Sequence, residues 1–191
     1  MRRGFKIIFS LLLVCLLLWG GKSLLSSGYR FFQEMLYPVR YEEIVGKEAN
    51  EYDLDPALVY AVIRAESSFR EEVVSNKGAY GLMQITEPTF EWLQTKMQDS
   101  ETYTVEDLYR PEVNIRYGCK LLSILLGQYS STETALCAYN AGMGRISTEL
   151  EKQLADRSFD LWLNEETSRY VFRILAMKEI FSSPAKYGYK L

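Results

Sequence analysis

The chain has 191 residues, a formal net charge of −3 and no histidine. That length suffices for one domain of ordinary size with an appendage, and for a core that needs no disulfide staples. The missing histidine excludes a Ser-His-Asp triad, a Cys-His pair and any histidine-ligated metal site, so acid–base chemistry falls to Glu, Asp, Lys, Tyr or Cys.

The N-terminus reads as a separate object. Arg2, Arg3 and Lys6 precede an apolar stretch from Ile7 to Trp19 broken only by Ser10, which Leu24 and Leu25 can extend past Gly20 and Gly21. A span of about 20 residues, the length a bilayer requires, is then available. The leading positive charges would keep the N-terminus in the cytoplasm and the rest outside. Residues 1–27 are expected to be a retained anchor, with a cleaved signal as the alternative, since no clean small-x-small cleavage site follows. Without Arg2, Arg3, Lys6 and Lys22 the remainder holds 18 basic against 25 acidic residues. Such a domain has no long-range attraction to nucleic acid.

Residues 28–37, with Tyr29, Phe31, Phe32 and Tyr37, read as a juxtamembrane linker, and the domain proper as 38–191. Pro38 opens a helical pattern ending near Asn50. Asp55-Pro56 is a strong helix start, with Asp as cap and Pro in the first turn. The segment "ALVYAVIRAES" repeats apolar residues at Leu58, Val62 and Ala65 and at Val59 and Ile63. Thr86 and Pro88 begin a short helix through Leu93, and Pro111 a longer one. Ser130 and Glu133 suggest a capping box for a helix that Gly142 and Gly144 end. A last helix spans about Glu165 to Phe181 and stops at Ser183-Pro184. Period-2 alternation is nearly absent, so the predicted class is all-α.

Glu66 lies four residues after Val62, on the apolar stripe. Desolvation by that wall and the negative end of its own helix would both raise its pKa. A carboxyl group kept protonated near neutral pH can donate to a leaving oxygen. Gly78 and Gly81 just beyond would permit a tight backbone path that lets a bulky polymer approach the acid. Taken alone, a glutamate here is more simply the exposed end of an amphipathic helix.

The wider pattern changes that balance. "ESSF" at 66–69, Ser75 with "GAYGLMQ" ending at Gln84, Pro88-Thr89, "NIRYG" at 114–118, "AYNAGMG" at 138–144 and "ETSRYV" at 166–171 occur in order. Together they resemble the lytic transglycosylases, the relatives of goose-type lysozyme that cleave peptidoglycan, over residues 41–180. The resemblance implies a lysozyme-like α-helical domain with a glycan-binding groove, acting on peptidoglycan strands without cofactor or metal. It implies Glu66 as the single catalytic acid and base, forming a 1,6-anhydro sugar. By the same likeness Ser75 and Gln84 would line the groove. Tyr139 and Asn140 would face Glu66, with the Tyr139 hydroxyl helping to fix its carboxyl. Glu166 would be a second, non-catalytic acid near substrate, and Tyr170 a wall residue. Core tyrosines at 139 and 170 and a loop-capping Ser75 are the plainer alternatives, and Met83 reads as packing. A hydrolytic muramidase with Glu166 or Glu87 as second acid, and a non-catalytic glycan-binding module, are the rival functions.

The chain departs from the family pattern at Arg70-Glu71, where many members have Asn-Pro, and at Cys137 and Met143. Glu71 and Glu72 are expected to point into water. Cys119 and Cys137 could pair, but their helix-face positions favour free buried thiols.

Overall fold

Seven α-helices, a 3-10 turn and one two-stranded hairpin account for the regular structure of the described residues. The computed structural model describes residues 39–97, 102–156 and 165–182. The expected anchor at 1–27, the linker at 28–37 and the stop at Pro184 lie outside them. Among the described residues no helix is long and apolar enough to cross a membrane.

The first helix, α1 (Glu42–Glu51), starts later than Pro38, because Tyr41 at its N-cap turns the chain in a left-handed conformation (φ 59°). Helix α2 (Pro56–Glu66) begins where its sequence predicts, with Asp55 Oδ1 accepting from the Ala57 amide at 2.9 Å. Its surroundings differ from the expected single stripe. Every residue from Ala57 to Ile63 is buried, so α2 is a central helix covered on all sides. Beyond Ile63 it emerges from the core, half-buried, at Arg64, Ala65 and Glu66.

The chain then makes a compact loop and an antiparallel hairpin, β1 (Ala79–Tyr80) with β2 (Ile85–Thr86), in register Ala79 to Thr86 and Tyr80 to Ile85. The hairpin corrects the strictly all-α expectation; strands of two residues are too short to show alternation. Helix α3 (Glu87–Gln94), a 3-10 turn (Val105–Tyr109) and α4 (Pro111–Gln128) follow. Helix α5 (Thr132–Ala141) is capped one residue later than expected: Ser131, not Ser130, accepts from the Thr134 amide, so no Ser130–Glu133 box forms. Gly142 ends α5 at φ 91°, but Gly144 ends nothing. It lies in the first turn of a further helix, α6 (Met143–Asp156), which the two glycines hid from sequence reading. The last helix, α7 (Glu165–Ser182), matches its expected span.

Helix α2 packs chiefly on α7, and α5 packs on α4, α6 and α7. The motif-bearing segments at 66, 140 and 166–173 are thereby gathered at one end of the core. Cys119 and Cys137 are both buried and free.

Candidate active site

The end of α2 is fastened before any chemistry is considered. Ser67, almost fully buried, donates its hydroxyl and its amide to the Ile63 carbonyl, each at 3.1 Å. Ser68 and Phe69 then both adopt left-handed backbone (φ 55° and 62°), an uncommon pair for non-glycine residues. The turn drives the Phe69 ring into the core, 6.4 Å from that of Tyr60. Burial of that ring offsets the backbone strain, and Glu66 is held at a defined exit from the core.

Across the cleft, Tyr170 of α7 donates its hydroxyl to Glu66 Oε1 at 2.5 Å, a charge-assisted length. Burial pushes the Glu66 carboxyl up to about 7. The Tyr170 hydrogen bond, Arg173 and Lys77 pull it back only in part. Burial first, and then the neighbouring Glu66 charge, holds both the Tyr139 and Tyr170 hydroxyls well above the usual phenol range. The two phenols therefore stay protonated donors, while Glu66 stands poised between its two protonation states near neutrality.

The cleft in front of Glu66 has a volume of about 660 Å³ and is lined by Asn140, Glu165, Glu166, Arg169, Tyr170 and Arg173 besides Glu66 itself. Asn140 is held by Thr167, whose hydroxyl donates to its Oδ1 at 3.2 Å. Four of the expected site residues, Glu66, Asn140, Glu166 and Tyr170, are thus brought together. The side chains of the other three hydrogen-bond to backbone groups outside the cleft lining. Tyr139 donates its hydroxyl to the Met83 carbonyl at 2.8 Å instead of fixing the acid; Tyr170 takes that part. Gln84 Nε2 donates to the Val73 and Gly81 carbonyls, at 3.1 and 2.8 Å. Ser75 Oγ accepts from the amides of Lys77 and Ala79, the plainer loop-capping alternative. Neither Ser75 nor Gln84 lines the Glu66 cleft.

Asn114 opens the "NIRYG" motif, but its role is not legible in the sequence. Fully buried on α4, it accepts from the Met83 amide at 2.7 Å and donates to the Tyr80 and Leu108 carbonyls at 2.9 and 2.8 Å. It thereby bolts the hairpin to the helix. A Cβ on Gly81 (φ 73°) would come within 2.2 Å of Asn114 Nδ2 and 2.3 Å of the Leu108 carbonyl. The missing side chain at 81 consequently makes room for Asn114, not for an approaching polymer. Gly118 does the same for Met83, whose sulfur lies 2.3 Å from where a Cβ would stand, and Met83 is wholly buried packing. Among the outer residues, Glu72 is exposed, but Glu71 is half-buried and accepts from the Tyr41 hydroxyl at 2.6 Å. Glu165, Arg169 and Arg173 were also missed in the cleft wall. Their signal was available, because Arg169 and Arg173 fall on the helix face of Glu166 and Tyr170 at spacings of three and four. No group of three or more Cys, Asp or Glu side chains able to hold a metal ion occurs among the described residues.

Known proteins share sequence and fold with this chain. A phage PRD1 protein named transglycosylase is 35% identical over 109 residues, covering 57% of this chain and 37% of the relative. Membrane-bound lytic murein transglycosylase C of Sodalis glossinidius is 28% identical over 165 residues, covering 80% of this chain and 44% of the relative. The chain therefore spans less than half the length of either relative. Among solved structures, the 70-kDa soluble lytic transglycosylase of Escherichia coli superposes with a TM-score of 0.70 at 26% identity. That match covers 83% of this chain and 26% of the larger protein. An inactive mutant of the lytic transglycosylase Slt of Pseudomonas aeruginosa gives 0.68 at 26% identity over 81% of this chain and 26% of that one. The mostly helical, lysozyme-like fold is common to these neighbours. The Transglycosylase SLT domain model matches residues 43–160, well over half the chain, and the chain belongs to that family.

Proposed function

We propose that this chain is a peptidoglycan lytic transglycosylase, cleaving the β-1,4 bond between N-acetylmuramic acid and N-acetylglucosamine. The observation that carries this reading is Glu66: a carboxyl raised to about 7, oriented by Tyr170, and opening into a cleft of about 660 Å³. With Oε1 engaged by Tyr170, Oε2 is the oxygen available to carry the proton. Glu66 gives that proton to the glycosidic oxygen, the C1–O bond breaks, and its electron pair leaves with the departing sugar. The resulting carboxylate then takes the proton of the muramic acid C6 hydroxyl as O6 bonds to C1. Atoms balance without water, and Glu66 ends protonated as it began. One carboxyl suffices because the nucleophile belongs to the substrate, whereas hydrolysis by ordinary glycosidases uses two. Glu166 lines the same cleft and is the second acid a muramidase would need; Glu87 is exposed at the start of α3, outside the lining. Ser75 and Gln84 support the loop beneath the cleft, and Tyr139 supports it through Met83.

The catalytic domain is assigned to 38–191, with 1–27 as a single-pass anchor and 28–37 as linker. This would confine activity to wall near the membrane. The apolar segment behind basic residues supports that, as does the naming of several relatives as membrane-bound. Purified peptidoglycan incubated with the full chain in detergent is expected to release soluble muropeptides. Binding to the insoluble wall with no release would leave a glycan-binding module instead.

The protonation requirement sets the pH profile. The rate is expected to fall as pH rises through about 7, where Glu66 loses its proton. Tyr170→Phe removes a hydrogen bond that favours the charged carboxylate, so Glu66 becomes harder to ionise. The alkaline limb should move to higher pH while the plateau drops about tenfold from lost orientation. A rate–pH series on both proteins measures this, and a limb that stays fixed or moves toward acid contradicts it.

A further inference from the structure

Arg169 and Arg173 stand one turn apart on α7 and both line the cleft that Glu66 faces. Arg173 Nη2 donates to the Ala65 carbonyl at 3.2 Å, which holds its guanidinium beside the residue preceding the acid. No carboxylate among the described residues stands within ion-pair distance of it. Arg169 pairs with Glu165 along the helix surface, where both side chains are highly exposed (78% and 79%). Such a pair contributes little and exchanges readily for a better partner. Two guanidiniums on one wall of a sugar cleft need an explanation, because the repeating N-acetyl sugars carry hydroxyls and amides, which need no cation. A planar guanidinium matches a carboxylate through two parallel hydrogen bonds. On the substrate assigned above, carboxylates sit on the lactyl arm at C3 of muramic acid or on the peptide joined to it. That arm leaves the same ring whose C1 is cleaved, so its carboxylate lies close to Glu66 in any productive pose.

We propose that Arg169 and Arg173 form a carboxylate subsite, selecting strands by an anionic group on or beyond the lactyl arm of the muramic acid being cleaved. This rests on the peptidoglycan reading. Glu165 and Glu166 in the same wall nearly balance the local charge, so the subsite works by short-range pairing more than by long-range steering. Binding exchanges the Arg169–Glu165 pair for an Arg169–substrate pair, with Glu165 released to solvent.

The test uses the full chain in detergent at pH 5, where Glu66 is protonated in the wild type and in variants lacking Arg173. Three substrates are compared: stem-bearing strands, stem-free strands with a free lactyl carboxylate, and stem-free strands with that carboxylate amidated. Wild type should favour at least one carboxylate-bearing strand over the amidated one by about tenfold or more in kcat/KM, expressed mainly in KM. Which strand is favoured identifies the stem or the lactyl group as the source. Arg169→Gln with Arg173→Gln should collapse that preference toward unity. Equal losses on all three substrates, or no preference in the wild type, overturn the subsite. If the chain cleaves none of them, calorimetric binding of the same strands decides separately. A carboxylate preference that the double variant loses upholds the subsite while the lyase reading falls; no preference in binding removes both.

Discussion

Glu66→Gln is expected to abolish turnover while leaving the fold intact. A positioned general acid or base contributes about 10²–10⁴-fold, and here one group serves in both roles, so the loss should reach about 10³-fold or more. Glutamine keeps the shape and still accepts from the Tyr170 hydroxyl, so the cleft should survive. The same substitution has a second signature in stability. The folded carboxyl titrates near 7 against an ordinary value of 4.5, so the native state holds its proton over a range where the unfolded chain releases it. Wild-type stability must therefore fall as pH rises from about 4.5 to about 7 and then level off, by at most about 3 kcal/mol from this group. The half-burial of Glu66 makes the actual change smaller. The variant lacks this slope. Urea denaturation of both proteins at pH 5 and pH 8 should show the gap opening in favour of the variant at pH 8, while muropeptide release is lost at both. A folded variant of near-normal activity contradicts the assignment of Glu66.

Asn114→Ala should produce the largest loss of stability of any single change near the site. It strands the Met83 amide and the Leu108 carbonyl in a buried setting, and the Tyr80 carbonyl in a half-buried one. Each orphaned buried group costs about 1–3 kcal/mol, and with partial rescue by water the total should be about 3–5 kcal/mol. For a domain of this size that lowers Tm by about 10 °C or more. Asn114→Asp should be at least as harmful, since it turns a donor pair into an anion facing two carbonyls. Both variants should also lose activity beyond the unfolded fraction, because Met83 carries the carbonyl that receives the Tyr139 hydroxyl behind the cleft. Thermal denaturation of the two variants checks this, and a destabilisation under about 1 kcal/mol would show that the hairpin is held by other contacts.

Local signals made the helices readable and left the pairings hidden. Asp55-Pro56, Thr86 with Pro88, and Pro111 mark helix starts by their own backbone chemistry, and each start is found where it was expected. Gly142 was read correctly as a terminator, but the same reasoning applied to Gly144 erased α6, a helix that begins at once after its predecessor ends. The hairpin escaped notice because four strand residues carry no periodicity. Position 66 was legible because its helix pattern and its motif agree. Its partner was not: Tyr170 lies 104 residues away, and both Tyr139 and Tyr170 sit on helices that face α2 or its loop. Which of two tyrosines reaches a carboxyl is decided by the packing of α2 against α7, and no spacing within either helix encodes it. Asn114 shows the same limit from the other side. A buried polar residue in a helix looks like a solvent-facing one until its three partners are assembled from two other segments, the hairpin and the 3-10 turn.

Whether water enters the product separates ring closure by the substrate's own hydroxyl from hydrolysis. Purified peptidoglycan should be digested by the full chain in water enriched in oxygen-18, and the released muropeptides weighed by mass spectrometry. Ring closure by the C6 hydroxyl predicts muramic acid ends lighter by one water and free of heavy oxygen. Reducing ends carrying one oxygen-18 would contradict it and make Glu166 the next carboxylate to replace.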